Sequence, residues 1–152
     1  MKKPIVYVDM DDTALQYTKQ IEEYKALYPK TPYPQSVIGF FSNMKAMPGF
    51  MLAWVTLSEY YDMRFLSRPS PHNINSCTEK AMWVRDNMGG IKALEKLNLA
   101  PDKSIFLGAY LIDDWDVHGQ KEFIGEHLHF GKDSKFLNWE MVTEYLLSKI
   151  DE

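Results

Sequence analysis

The sequence predicts an α/β domain built on a parallel sheet flanked by helices. Three observations lead there. Short runs rich in β-branched residues alternate with longer segments of helical apolar spacing. Two of the short runs, Ile5–Val8 and Tyr110–Ile112, end at once in acidic residues, as strands do at the ligand-binding edge of a parallel sheet. A chain of 152 residues, 45% of them hydrophobic, has the size and composition of one domain with a real core.

The elements follow in order. Ile5–Val8 reads as a buried strand. Leu15–Leu27 reads as a helix, with Ile21, Tyr24 and Leu27 on one side, closed by Pro29, Pro32 and Pro34. Pro48-Gly49 marks a turn, and Phe50, Trp54, Leu57 and Tyr61 give the next segment helical spacing. Met63–Leu66 is a second strand, and 67–76 is a loop with two prolines and two asparagines. Thr78–Met88 is a helix capped by Ser76 or Thr78 and stopped by Gly89-Gly90. Ile91–Leu97 is a short helix. Ser104–Leu107, Tyr110–Ile112 and Leu128–Phe130 are strand-like. Asn138–Ile150 is a closing helix with Trp139, Val142, Tyr145, Leu146 and Ile150 on its apolar side.

Composition removes several function classes. The formal charge of −4 argues against binding a nucleic-acid polymer, while leaving room for a local positive pocket. Cys77 is the single cysteine, so no intrachain disulfide forms and a reducing, cytoplasmic setting is expected. The first apolar run stops at Asp9, too early for a secretory core. No apolar stretch approaches the ~20 residues needed to cross a bilayer. A homodimer is compatible with all of this.

Four places carry candidate chemistry. In Asp9-Met10-Asp11-Asp12-Thr13, residues two apart share a direction on extended backbone, so Asp9 and Asp11 face one site. Two carboxylates held close repel, and a hard divalent cation such as magnesium relieves that cost. Asp113-Asp114 is a second acidic strand end. Ser67, with nearby backbone amides, suits a phosphate oxygen. Lys80 sits on a helix. Taken singly, each is an ordinary turn or surface residue; together they give the order acid, serine, lysine, acid.

That order resembles the haloacid dehalogenase superfamily of phosphatases, whose motifs match Asp9-Met10-Asp11-Asp12-Thr13, Ser67, Lys80 and Asp113-Asp114. Further segments resemble the cytosolic 5′(3′)-deoxyribonucleotidase group. These are Met47-Pro48-Gly49, Glu79-Lys80 with Trp83-Val84, Leu111-Ile112-Asp113-Asp114, and Phe123-Ile124-Gly125-Glu126-His127-Leu128-His129-Phe130-Gly131 leading to Trp139. The resemblance implies a Rossmann-like core (1–15 and 62–152) with a small helical cap (16–61) inserted after the first strand. It implies Asp9 as nucleophile and Asp11 as acid/base. It implies Mg2+ held by Asp9, the Asp11 carbonyl and Asp113, with Asp114 either a ligand or a supporting acid. Ser67 and Lys80 would bind phosphate. The implied substrate is a nucleoside monophosphate, its base met by cap aromatics drawn from Tyr17, Phe40, Phe41 and Trp54; packing within the cap is the other reading of these side chains, Tyr17 and Phe41 being the foremost candidates.

The sequence departs from the group in a shorter insertion, in Ala109 where Asp is common, and in Trp115 where Arg is frequent. Two alternatives stand beside the nucleotidase. One is a phosphatase of another small phosphomonoester such as a sugar phosphate. The other is a receiver-like phosphoaspartate module, in which the lysine would follow the second acidic strand end rather than precede it.

Overall fold

The computed structural model describes residues 2–150. Five strands form one parallel sheet: β1 (Ile5–Val8), β2 (Asp62–Ser67), β3 (Leu97–Leu99), β4 (Tyr110–Asp113) and β5 (Glu126–His129), in the order β3-β2-β1-β4-β5. Four α-helices accompany them: α1 (Tyr17–Leu27), α2 (Phe50–Leu57), α3 (Ser76–Asn87) and α4 (Trp139–Ser148). The expected α/β class with a helix-flanked parallel sheet is therefore what the chain adopts. No helix among the described residues is long and apolar enough to cross a membrane.

Alternation along the strands divides the core in two. Val6, Val8, Met63, Phe65 and Ile112 point to one side, where they pack with Phe50 and Leu57 of α2, Trp83 and Val84 of α3, and Trp139, Val142 and Leu146 of α4. Tyr7, Leu66 and Leu111 point to the other, where Phe106 and Phe123 from connecting segments cover them. Tyr7 meets both rings edge-on, at centroid distances of 5.6 and 6.2 Å.

Three local expectations are corrected. Ser104–Leu107 is not a strand: Ile105 and Leu107 face solvent, and only Phe106 turns inward. The additional strand is β3, which pairs Leu97–Leu99 with Phe65–Ser67 at one edge of the sheet. Residues 91–96 form a 3-10 helix rather than the longer helix read through Leu97, so Leu97 is free to open β3. Helix α3 begins at Ser76 after Asn75, without a capping side chain; the Ser76 hydroxyl instead accepts from the Ser70 amide at 2.9 Å and folds the preceding loop.

The segment expected to form a cap divides between two surroundings. Phe50 of α2 packs on Phe65 and Trp139, and Trp54 stacks on Phe65 at 4.4 Å. Helix α2 is thus part of the main core, and Trp54 lies there with it. Residues 16–47, with α1 and a 3-10 turn at Pro34–Ser36, bring Tyr17 and Phe41 to the strand ends, while their Phe40, Phe41 and Met44 are buried in the same core.

Candidate active site

Register brings the reactive residues together. Val8 of the central strand stands opposite Phe65 of β2 and Ile112 of β4. The chain therefore leaves the sheet at Asp9, Ser67 and Asp113 on three adjacent strands. The Asp9 amide donates to the Ile112 carbonyl at 2.9 Å and extends the ladder by one residue. Met10 is fully buried in the core, so Asp9 and Asp11 on either side of it turn to the open edge. Asp12 takes a left-handed conformation (φ 57°), and its carboxylate accepts from the Thr18 amide in the first turn of α1 at 2.8 Å. The third acid of the run is thus structural: it turns the chain and fastens α1. The Thr13 carbonyl accepts from the Trp139 indole at 2.8 Å, tying the acidic loop to α4.

A cavity of about 230 Å³ opens at this edge, bordered by Asp9, Asp11, Asp113 and Lys103 at its acidic end and by Tyr17 and Phe41 on the α1 side. Lys80 is fully buried; its ammonium donates to Asp11 at 3.1 Å, to the Ser67 hydroxyl at 2.8 Å and to the Arg68 carbonyl at 2.6 Å. It also lies 5.0 Å from the centre of the Phe41 ring, a cation–π contact. Helix-borne Lys80, Ser67 and Asp11, read separately along the sequence, are thus one bonded group.

Lys103 was not singled out in the sequence. It is 2% exposed, and its ammonium bonds both the Asp9 carboxylate, at 2.8 Å, and that of Asp113. Pro101-Asp102-Lys103-Ser104 reads as an exposed turn. Its meaning comes from a fold-back in which the Lys103 amide donates to the His118 carbonyl at 2.9 Å. His127 and His129 lie in the tail that carries the resemblance, where the sequence assigned them no chemistry. Neighbours on one side of β5, they donate through Nε2 to the carbonyls of Asp113 and Asp114 at 3.1 and 2.9 Å, and so pin the second acidic strand end. The alternation His127-Leu128-His129 at a predicted strand was the available signal.

The electrostatics are those of a cluster short of positive charge. Asp9, Asp113 and Asp114 are buried, and each brings a carboxylate oxygen within 4.8 Å of the others. Burial, reinforced by the charge of Asp9, pushes Asp114 up to about 9 and Asp113 up to about 7, with Lys103 opposing the shift at Asp113. Burial also raises Asp11, against the pull of Lys80. Burial opposes the charge on Lys103, but Asp9 and Asp113 outweigh it and raise its pKa. An oxygen-only donor set with excess negative charge fits a hard divalent cation. Thr13 Oγ1, 3.4 Å from Asp9 and 3.3 Å from Asp114, sits between the two strand ends. Asp11 turns its side chain to Lys80 rather than into the three-carboxylate cluster, and its Oδ1 is buried without a partner.

Comparison with known proteins bears on what this edge does. No protein-family model matches the chain. A protein of Vibrio phage KVP40 named "Putative 5'(3')-deoxyribonucleotidase" is 36% identical over 155 residues, which cover 97% of this chain and 86% of that relative. The human "5'(3')-deoxyribonucleotidase, cytosolic type" is 33% identical over 117 residues, which cover 72% of this chain and 58% of the human protein. A likeness that runs through nearly the whole chain cannot be confined to the sheet; it takes in the acidic edge as well, and the chain therefore belongs to the 5′(3′)-deoxyribonucleotidase family and is a phosphatase.

Proposed function

We propose that the protein is a magnesium-dependent phosphomonoesterase of the haloacid dehalogenase type, acting on (deoxy)nucleoside monophosphates through an aspartyl-phosphate on Asp9. The observation that carries this reading is the pairing at the end of β1. Two carboxylates separated by one buried residue face the same cavity, each braced by its own buried lysine.

The roles follow from the surroundings. A carboxylate oxygen of Asp9 attacks phosphorus, and the bond to the leaving oxygen breaks. Asp11, whose carboxyl burial holds protonated to higher pH than usual, supplies the proton that the leaving oxygen takes up. Its carboxylate then accepts a proton from the water that cleaves the acyl phosphate and regenerates Asp9. Lys103 borders the cavity and meets the phosphoryl oxygens, whose charge must be stabilised during transfer, while Ser67 and Lys80, buried beside Asp11, add a hydroxyl and a positive charge to the same phosphate site. Asp9, Asp113, Asp114 and the Asp11 carbonyl are the groups that would hold magnesium, which would neutralise phosphoryl charge there.

Residues 16–61 act as the cap, with 16–47 as the part that covers the cavity and α2 as its root in the core. The aromatic side formed by Tyr17 and Phe41 favours a nucleoside over a sugar as leaving group. A cytosolic setting agrees with the single cysteine and with the name of the human relative. The test is a panel of nucleoside monophosphates, sugar phosphates and a small aryl phosphate, each assayed with magnesium and after exhaustive chelation. Magnesium-dependent turnover highest on nucleotides is expected. Turnover indifferent to chelation removes the metal; a preference for sugar phosphates removes the nucleotide.

A further inference from the structure

The cavity has a third side that the reaction above leaves unused. Arg68 directly follows β2 and borders the cavity. Its guanidinium is pinned at two points: Nε donates to the Pro101 carbonyl at 3.2 Å, and Nη1 lies 2.7 Å from His118 Nε2. A guanidinium only donates, so His118 accepts here as a neutral ring with its proton on Nδ1. Lys80 and Lys103 are each paired with carboxylates, whereas Arg68 makes no ion pair among the described residues.

His118 also fixes a second donor. Its backbone amide donates to Gln120 Oε1 at 2.6 Å. Flipping the Gln120 amide would set a donor against that N–H, so the bond dictates the orientation and turns the NH2 group the other way. Gln120 is 1% exposed and borders the same cavity, and its Nε2 is buried with no partner. A buried donor left unmatched is uncommon and calls for an acceptor. Arg68 and Gln120 are thus two donors held by one residue, His118, and neither side chain bonds the acids or lysines of the reacting end.

We propose that Arg68 and Gln120 form a subsite for a second phosphate on the leaving group, so that a nucleoside bisphosphate binds with one phosphate at Asp9 and the other against Arg68. A phosphate offers only acceptors and carries the charge that an arginine without a carboxylate partner lacks, and the flat guanidinium fork matches its oxygens. This rests on the nucleotide reading of the preceding subsection and adds a substrate class to it.

The experiment measures release of one phosphate from a nucleoside 5′-monophosphate and from the matching 3′,5′-bisphosphate, with an aryl phosphate alongside. In the wild type the bisphosphate should show the lower KM. Arg68→Gln should reduce the bisphosphate-to-monophosphate ratio of kcat/KM about tenfold, the worth of a charge-assisted hydrogen bond. Gln120→Glu keeps an acceptor for the His118 amide and replaces the free donor with a carboxylate oxygen, so it should reduce the same ratio. Circular dichroism checks that each variant is folded, and either variant alone carries the test. Equal KM for both nucleotides in the wild type overturns the subsite and leaves the nucleotide reading intact. A ratio unchanged in both variants does the same, since the side chains would then serve the monophosphate as much as the second anion. Hydrolysis of the aryl phosphate with neither nucleotide turned over removes both readings.

Discussion

The two sides of the cavity are held in different ways. On the core side, Asp9, Ser67 and Asp113 leave the sheet at positions set by strand register, and each bonds a buried lysine brought in from α3 or from the fold-back at Lys103. Asp9 and Asp113 share Lys103, Asp11 and Ser67 share Lys80, and two histidines hold the Asp113 and Asp114 carbonyls. On the lid side, residues 33–39 meet α3 and the loop before it through a small polar clasp. The Gly39 amide donates to buried Glu79, Asn73 donates to the Gln35 carbonyl and to Glu79, and Tyr33 stacks on His72 at 3.9 Å. The core side is over-determined and suits chemistry, which tolerates little displacement. The rest of the lid is rooted more firmly, by the Trp83 indole donating to the Met44 carbonyl at 2.8 Å and by buried Phe40, Phe41 and Met44, so the 33–39 stretch held by the clasp is the part suited to selection and release.

The sharpest way to break this contrast is to remove a reacting carboxylate. Asp9→Asn keeps the shape but leaves an amide, a far poorer nucleophile, and kcat should fall by about three orders of magnitude or more on every substrate. The same variant takes one charge from a repelling cluster, so in chelator its thermal midpoint should match or exceed that of the wild type. Asp11→Asn should also lose turnover on every substrate, having neither proton to give nor base to offer. Near-normal turnover of Asp9→Asn, followed by steady-state phosphate release, would rule out Asp9 as nucleophile.

Next in size is the effect of the cation on the same cluster. Asp113 and Asp114 titrate higher folded than unfolded, at about 7 and about 9 against an ordinary carboxyl. For such groups the metal-free fold is favoured at low pH, and that contribution is lost as pH rises from about 4 through the folded values. In chelator the midpoint should therefore fall between pH 6 and pH 9. Magnesium competes with those protons, so its affinity should rise over the same interval and its stabilisation should be largest at pH 9. Calorimetric melts at both pH values, with and without magnesium, check the sign; a chelated protein more stable at pH 9 than at pH 6 contradicts it.

The two sides also differ in how far the sequence reveals them. Asp9, Asp11, Ser67 and Asp113 were legible because strand ends are marked by an apolar run breaking into polar residues, and a parallel sheet gathers those ends at one edge. Lys103 was not, because its place depends on a fold-back onto His118, with no local signature. Ser104–Leu107 fits a strand by its apolar residues, but the fold uses it as a connection in which Ile105 and Leu107 face solvent and Phe106 covers Tyr7. Trp54 fits a cap aromatic by composition, yet the helix that bears it packs on Phe65. Local patterning settles which residues can act, and tertiary packing settles which of them meet.

A cut to the clasp tests what holds the 33–39 stretch of the lid in place. Glu79→Gln keeps an acceptor for the Gly39 amide but loses the charge, while Glu79→Ala loses both bonds. Glu79→Ala should raise the nucleotide KM about tenfold, as expected for charge-assisted hydrogen bonds lost from a buried site, with a smaller change in kcat. Glu79→Gln should recover much of that loss. An equal fall in kcat on nucleotide and aryl phosphate would mean that Glu79 acts by supporting neighbouring Lys80, and the separation of the two sides would not hold at α3.

The smallest expected effects come from the aromatic side, where two rings differ in what they touch. Phe41 is fully buried, stacks near Tyr17 at 6.2 Å and lies beneath the Lys80 ammonium. Tyr17 packs edge-on against Phe40 at 5.5 Å but is only half-buried, and burial lifts its hydroxyl to about 12, so it stays a neutral phenol at working pH. A base stacking on this side has more of Tyr17 within reach than of Phe41, and such a stack is worth about 1–3 kcal/mol in other systems. Leucine keeps an apolar face, so Tyr17→Leu should raise the nucleotide KM only about fivefold, the lower end of that energy, and leave the aryl phosphate nearly unchanged. Phe41→Leu should lower turnover of both substrates by a similar modest factor, because it removes the ring under Lys80 and loosens a bond to Asp11. If Phe41→Leu instead proves selective for nucleotides, the base meets the lid deeper than the half-buried ring of Tyr17, and the division between a chemical side and a selecting side runs through Lys80 rather than beside it.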